Sequence, residues 1–127
     1  MGAELTPDEL KQRTLQFGLR TIRLVESLPK TATAGVIGRQ MLRSGTSVGA
    51  NYRAACRARS SAEFVSRMSV VEEEIDETAY WLELAAKAGV VKAELLAPLA
   101  QEAKELLAIT VASINTARGK TRDRRRR

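Results

Sequence analysis

The sequence predicts an all-α domain, an antiparallel four-helix bundle of up-down-up-down order that ends in a basic tail. Apolar residues recur at helical spacing through four long segments, and helix-capping residues punctuate the joins between them. Composition agrees: hydrophobic residues make up 44% of the chain but aromatics only 4%, a balance that suits helices packed through Ala and Leu better than a β-sandwich. A length of 127 residues supplies one core, because domains commonly run about 100 to 150 residues.

Thr6-Pro7-Asp8-Glu9 opens the first helix. Thr6 caps it, Pro7 sits where a missing N–H costs nothing, and Glu9 completes a capping box. Leu10, Phe17, Ile22, Leu24, Val25 and Leu28 follow at helical spacing until Pro29 interrupts them. The helix is expected over residues 7 to 28, about 33 Å at 1.5 Å per residue.

The second helix is expected over 33 to 59, with Val36, Ile37, Met41, Leu42, Val48, Ala54 and Ala55 facing inward. Its middle, Ser44 to Asn51, holds Gly45 and Gly49, each costing about 1 kcal/mol relative to Ala inside a helix. Either the helix breaks there or another backbone approaches closely. Met41, Val48 and Ala55 stay in phase across the segment, which favours a continuous or slightly bent helix.

Ser60-Ser61-Ala62-Glu63 carries a second capping-box pattern and places a tight turn near 59 to 61. Phe64, Met68, Val71, Ile75, Ala79, Leu82 and Ala86 then form the clearest stripe in the chain, ended by Gly89 as a C-terminal cap. The fourth helix is expected over 92 to 118, with Leu96, Leu99, Ala103, Leu106, Ile109, Thr110 and Ile114 inward. Pro98 is expected to kink it or delay its start, and Gly119 to stop it. The division is therefore a bundle over 1–119 and a basic, disordered tail over 120–127.

The net charge of +6 resides in the last ten residues. Arg118, Lys120, Arg122, Arg124, Arg125, Arg126 and Arg127 against Asp123 account for all of it. Removing them from the totals of 21 basic and 15 acidic residues leaves 14 of each, so the body is neutral. Such a tail binds polyanions without sequence preference, or only solubilises the chain. Arg53, Arg57 and Arg59, near the end of the second helix, form a second candidate nucleic-acid patch; the alternative is a solvated face offset by neighbouring acids.

A hairpin turning near residue 60 pairs positions summing to roughly 121. Arg43 then faces Glu77 or Thr78, Ser47 faces Glu74, and Asn51 faces Val70. Arg43, Ser47, Asn51, Glu74 and Glu77 are thus candidates for an interhelical polar network, because a guanidinium fork suits carboxylates. Ordinary solvated helix charge is the alternative.

Histidine is absent, which removes the commonest general base and transition-metal ligand and argues against an enzyme. Glu73, Glu74 and Glu77 lack the Glu-x-x-His partners of bundle di-iron sites, so neither metal nor cofactor is expected. Cys56 stands alone and reads as a small buried hydrophobe. Neither a membrane span nor an export signal is visible, and a cytoplasmic protein is expected.

The stretch from Gln40 through Arg43-Ser44-Gly45-Thr46-Ser47-Val48-Gly49-Ala50-Asn51-Tyr52, then Ala58-Arg59-Ser60, Glu63-Phe64 and Glu74-x-x-Glu77-x-x-Tyr80-Trp81-Leu82-Glu83-Leu84, closely resembles the bacterial four helix bundle proteins encoded in intervening sequences of large-subunit rRNA genes. The resemblance implies an up-down bundle assembled as a homopentameric ring around a central channel. It extends to the accessory variability determinant proteins of diversity-generating retroelements, and so implies RNA or DNA and a reverse transcriptase as partners. The function expected is a non-enzymatic oligomeric adaptor that binds nucleic acid; the alternative is a protein-interaction scaffold that does not. Many relatives carry a proline within the segment that here reads Ser47-Val48-Gly49-Ala50-Asn51, and the Arg-rich tail lies outside the family pattern.

Overall fold

The computed structural model describes the backbone of residues 5–126 and the side chains of residues 5–120. It consists of four helices in chain order: α1 (Pro7–Glu26), α2 (Ala32–Cys56), α3 (Ser61–Lys87) and α4 (Ala93–Arg126), with no strand among the described residues. The linkers leave room only for antiparallel neighbours. α1 packs on α2, α2 on α3 and α3 on α4, α1 and α4 meet along a sparser seam, and α1 lies diagonally across from α3.

Local chemistry sets the ends. The Glu9 N–H donates to Thr6 Oγ1 at 3.1 Å and the Thr6 N–H donates to Glu9 Oε1 at 3.2 Å, a reciprocal capping box. At α3 the pattern is only half made. The Glu63 N–H donates to Ser60 Oγ, but the Glu63 carboxylate accepts from the Arg59 N–H at 2.8 Å instead of from Ser60. α3 closes on Gly89 at φ +72°, with the Gly89 N–H on the Ala86 carbonyl and the Val90 N–H on that of Ala85, the paired bonds of a Schellman cap.

α2 is unbroken, and another backbone does approach it closely. Gly45 and Gly49 face α1, where Gly18 lies 3.7 Å, measured from an ideal Cβ, from the Gly45 carbonyl oxygen and the Thr46 Cα. A Cβ on Gly45 would lie 2.6 Å from the Thr21 side chain, so a side chain at that position would hold the helices apart. Thr14 and Thr21 complete this small-residue seam, and each hydroxyl donates to a carbonyl one turn back.

This seam rotates both helices relative to their most apolar faces. Thr14, Gly18 and Thr21 are buried in α1, while Ile22, expected inward, is only half-buried. In α2, Val36, also expected inward, is 51% exposed, whereas Tyr52 is buried. α3 and α4 follow their stripes: Met68, Val71, Ile75, Leu82, Leu96, Leu99, Ala103, Leu106 and Ile114 join the core.

Two expectations for α4, a start delayed by Pro98 and a stop at Gly119, are overturned. The helix starts at Ala93, five residues before Pro98, because the carbonyl that Pro98 leaves without a donor belongs to exposed Glu94 in the first turn, where water serves it. It also runs through Gly119 to Arg126. Only Gly89 takes a positive φ among the described residues, so Gly119 keeps helical geometry, at a cost of about 1 kcal/mol. The helix thus continues past residue 119 into the basic segment.

Candidate nucleic-acid interface and the polar seams that orient it

Alternating helix direction decides which charges meet. The C-terminal end of α2, the N-terminal ends of α1 and α3, and the C-terminal end of α4 share one pole of the bundle. Arg53, Arg57 and Arg59 are therefore gathered at the pole that also carries Arg118 and Lys120, although about 60 residues separate the two groups in sequence. All five are exposed, and none forms an ion pair among the described residues. α4 has 34 residues against 27 in α3, so its last turns extend past the start of α3. Arg122, Arg124, Arg125 and Arg126 lie on that extension with side chains outside the described residues, and Arg127 lies outside them altogether.

The orientation of α2 against α3 is keyed by polar contacts. Arg43 donates to Glu74 at 3.2 Å and also to Glu77; the Ser47 hydroxyl donates to Glu74 at 2.5 Å. The Glu77 carboxylate further accepts from the Trp81 indole N–H at 3.0 Å. That indole bond, followed by the Arg43 guanidinium, holds the Glu77 carboxyl below the usual carboxylate range. The network sits at the edge of the interface, with Arg43 half exposed. Asn51 does not join it across the helices: its amide donates back to the Ser47 carbonyl of its own helix at 2.9 Å.

Beneath this edge lies a pair that sequence reasoning missed. The Thr78 hydroxyl donates to Ser44 Oγ at 2.8 Å, and Ser44 donates to the Met41 carbonyl; both side chains are fully buried. The hairpin register contained the signal, since residues 44 and 78 also face each other.

A second missed group ties α1 to α4. Arg13 makes two parallel bonds of 2.8 Å to Glu102 and a third, also of 2.8 Å, to Glu105. These carboxylates, the Glu102 bonds foremost, push the Arg13 guanidinium further up. The Glu105 carboxyl is held low first by the Gln101 amide and then by Arg13. No hairpin register relates α1 to α4, so sequence spacing could not pair them.

The neutral body hides a strong separation of charge. α2 contains Arg39, Arg43 and Arg53 and no acidic residue, whereas α3 contains Glu63, Glu72, Glu73, Glu74, Asp76, Glu77 and Glu83 against Arg67 and Lys87. Polyanion binding thus has one favourable end and one unfavourable side. Among the described residues no cluster could hold a metal ion, and no helix is long and apolar enough to cross a membrane.

Comparison with known proteins bears on the fold. Residues 8–112 match the model of the 23S rRNA-intervening sequence protein family. Among solved structures, the chain is similar to a protein of unknown function from the S23 ribosomal protein family of Bacteroides thetaiotaomicron VPI-5482. The two share 32% identity at a TM-score of 0.78, over 83% of this chain and 97% of the other. No functionally curated protein matches the chain.

Proposed function

We propose, from the premise that this chain belongs to the 23S rRNA-intervening sequence protein family, that it is a non-catalytic adaptor whose basic pole binds RNA or DNA. The observation that carries this reading is the gathering of Arg53, Arg57 and Arg59 with Arg118 and Lys120 at one end of the bundle. Cations at a helix C-terminus are favoured by the backbone dipole. Exposed and unpaired, they are free to displace counterions from a phosphate backbone.

The adaptor acts as an oligomer in this proposal, a ring of five in keeping with the resemblance. Repetition of the pole then raises avidity beyond that of a single modest patch. The remaining surface receives a protein partner, with a reverse transcriptase as the class to test first.

The test is fluorescence anisotropy with labelled RNA and DNA hairpins over a series of NaCl concentrations, on the full chain, on a chain ending at Ala117, and on the triple variant Arg53→Ala, Arg57→Ala, Arg59→Ala. Salt-sensitive binding that weakens in both altered proteins supports the reading. Loss on truncation with no effect of the triple variant assigns binding to the tail alone. No binding by the full chain leaves the scaffold reading instead.

A further inference from the structure

We infer that the nucleic acid taken by the basic pole is double-helical DNA, with the free end of α4 lying in its major groove and Arg53, Arg57 and Arg59 on the phosphates beside it. The inference rests on the nucleic-acid reading above and names its substrate class.

α4 outlasts the helix beside it. With 34 residues against the 27 of α3, it carries about seven residues, or about 10 Å at 1.5 Å per residue, past the first residue of α3. Gly119 marks the exit, because a Cβ built there meets nothing within 4 Å. The backbone stays helical beyond it to Arg126, through a segment that holds Lys120, Arg122, Arg124, Arg125 and Arg126 against Asp123 alone. The pole therefore presents a basic helix end without neighbours, not only a flat patch of charge.

The major groove of B-form DNA is about 12 Å wide and about 8.5 Å deep and admits an α-helix. A projection of about 10 Å fills that depth. The major groove of A-form RNA is too narrow for the same element. α2 lies diagonally across the bundle from α4, so with neighbouring axes about 10 Å apart its end stands about 14 Å from the α4 axis. That offset carries Arg53, Arg57 and Arg59 clear of the groove and over the phosphates that border it, where exposed cations release counterions.

The aromatic residues argue against a single strand, which is gripped by stacking its bases on exposed rings beside the cations. The chain has two Phe, two Tyr and one Trp. Phe17 and Tyr52 are buried, and the half-buried Phe64 packs against the core. Tyr80 and Trp81 stand about 28 Å along α3 from its first residue, on a helix rich in carboxylates. The pole thus offers charge and a helix end, but no freely exposed ring.

Fluorescence anisotropy on the full chain should show a DNA duplex bound more tightly than an RNA duplex of the same sequence and than either single strand. Gly119→Pro keeps every arginine but breaks the helix at its exit, and it should bring the DNA duplex down to the affinity of the RNA duplex. Gly119→Ala, which strengthens the helix, should hold or widen the gap. Filling the major groove with glucosylated hydroxymethylcytosine should weaken binding by the wild type. That probe needs no protein variant, so it decides the matter if the proline variant loses helicity beyond its last turns. Equal affinity for duplex DNA and duplex RNA, or for duplex and single strand, overturns the inference, as does a folded Gly119→Pro with wild-type affinity or a filled groove without effect. Binding to none of the probes overturns the nucleic-acid reading itself.

Discussion

A Cβ added to Gly45 would lie 2.6 Å from both Oγ1 and Cγ2 of Thr21. Thr21 cannot turn aside, since its β-branched side chain is held by a 2.8 Å hydrogen bond to the Phe17 carbonyl. The closest approach of α1 to α2 therefore depends on the absence of one methyl group.

Gly45→Ala should destabilise the chain. Overpacking a filled interface costs about 1 to 3 kcal/mol, against about 1 kcal/mol gained in helix propensity. Gly119→Ala meets nothing within 4 Å and should stabilise α4 by up to about 1 kcal/mol. Gly89→Ala forces a Cβ onto a left-handed residue and should lose about 1 to 2 kcal/mol. Urea denaturation midpoints rank the three; a stabilised Gly45→Ala would mean that the seam opens without cost.

Arg13→Leu should cost more than Arg43→Leu. Glu102 is 15% exposed and loses both bonds of a bidentate pair when Arg13 is removed, for about 1 to 3 kcal/mol. Arg43 is half exposed, and Glu74 retains Ser47 when it goes. Denaturant unfolding of both single variants measures the order, and equal losses would contradict it.

Stability should be level from about pH 5.5 to 7.5, because a chain without histidine has no side chain that ordinarily titrates there. It should fall in acid. The Glu77 and Glu105 carboxyls are held low in the fold, so the stability they contribute is present above their unfolded pKa and is lost as pH falls through the folded one. Midpoints measured between pH 2.5 and 7 should show a shallower acid loss in Glu77→Gln; an unchanged slope would remove Glu77 from the cause.

If the pole contacts a duplex, each phosphate neutralised contributes about 0.9 to the slope of log affinity against log salt. Arg53→Ala, Arg57→Ala and Arg59→Ala together should lower that slope by up to about 3, equally across unrelated sequences. A change confined to one sequence would indicate base contacts instead.

The four segments, the Thr6 capping box and the Gly89 cap were legible in the sequence because they depend on residues within a few positions of one another. So was the pairing of Arg43 with Glu74 and Glu77, since a short hairpin fixes register across α2 and α3. The exposure of Val36 and the half-burial of Ile22 were not. Hydrophobic spacing assumes that a helix buries its most apolar face, whereas the glycine and threonine seam turns α1 and α2 to gain close backbone contact. Gly119 was misread as a stop because glycine ends a helix only where the chain turns left-handed.

The sequence by itself determined the number, order and direction of the helices and the neutrality of everything before the last ten residues, since local periodicity and composition decide these. Tertiary structure alone decided which charges stand together. Antiparallel packing brings the ends of α2 and α4 to one pole, joins Arg13 to Glu102 across the sparsest seam, and sets an α2 without acids beside an acidic α3 in a body whose net charge reveals neither.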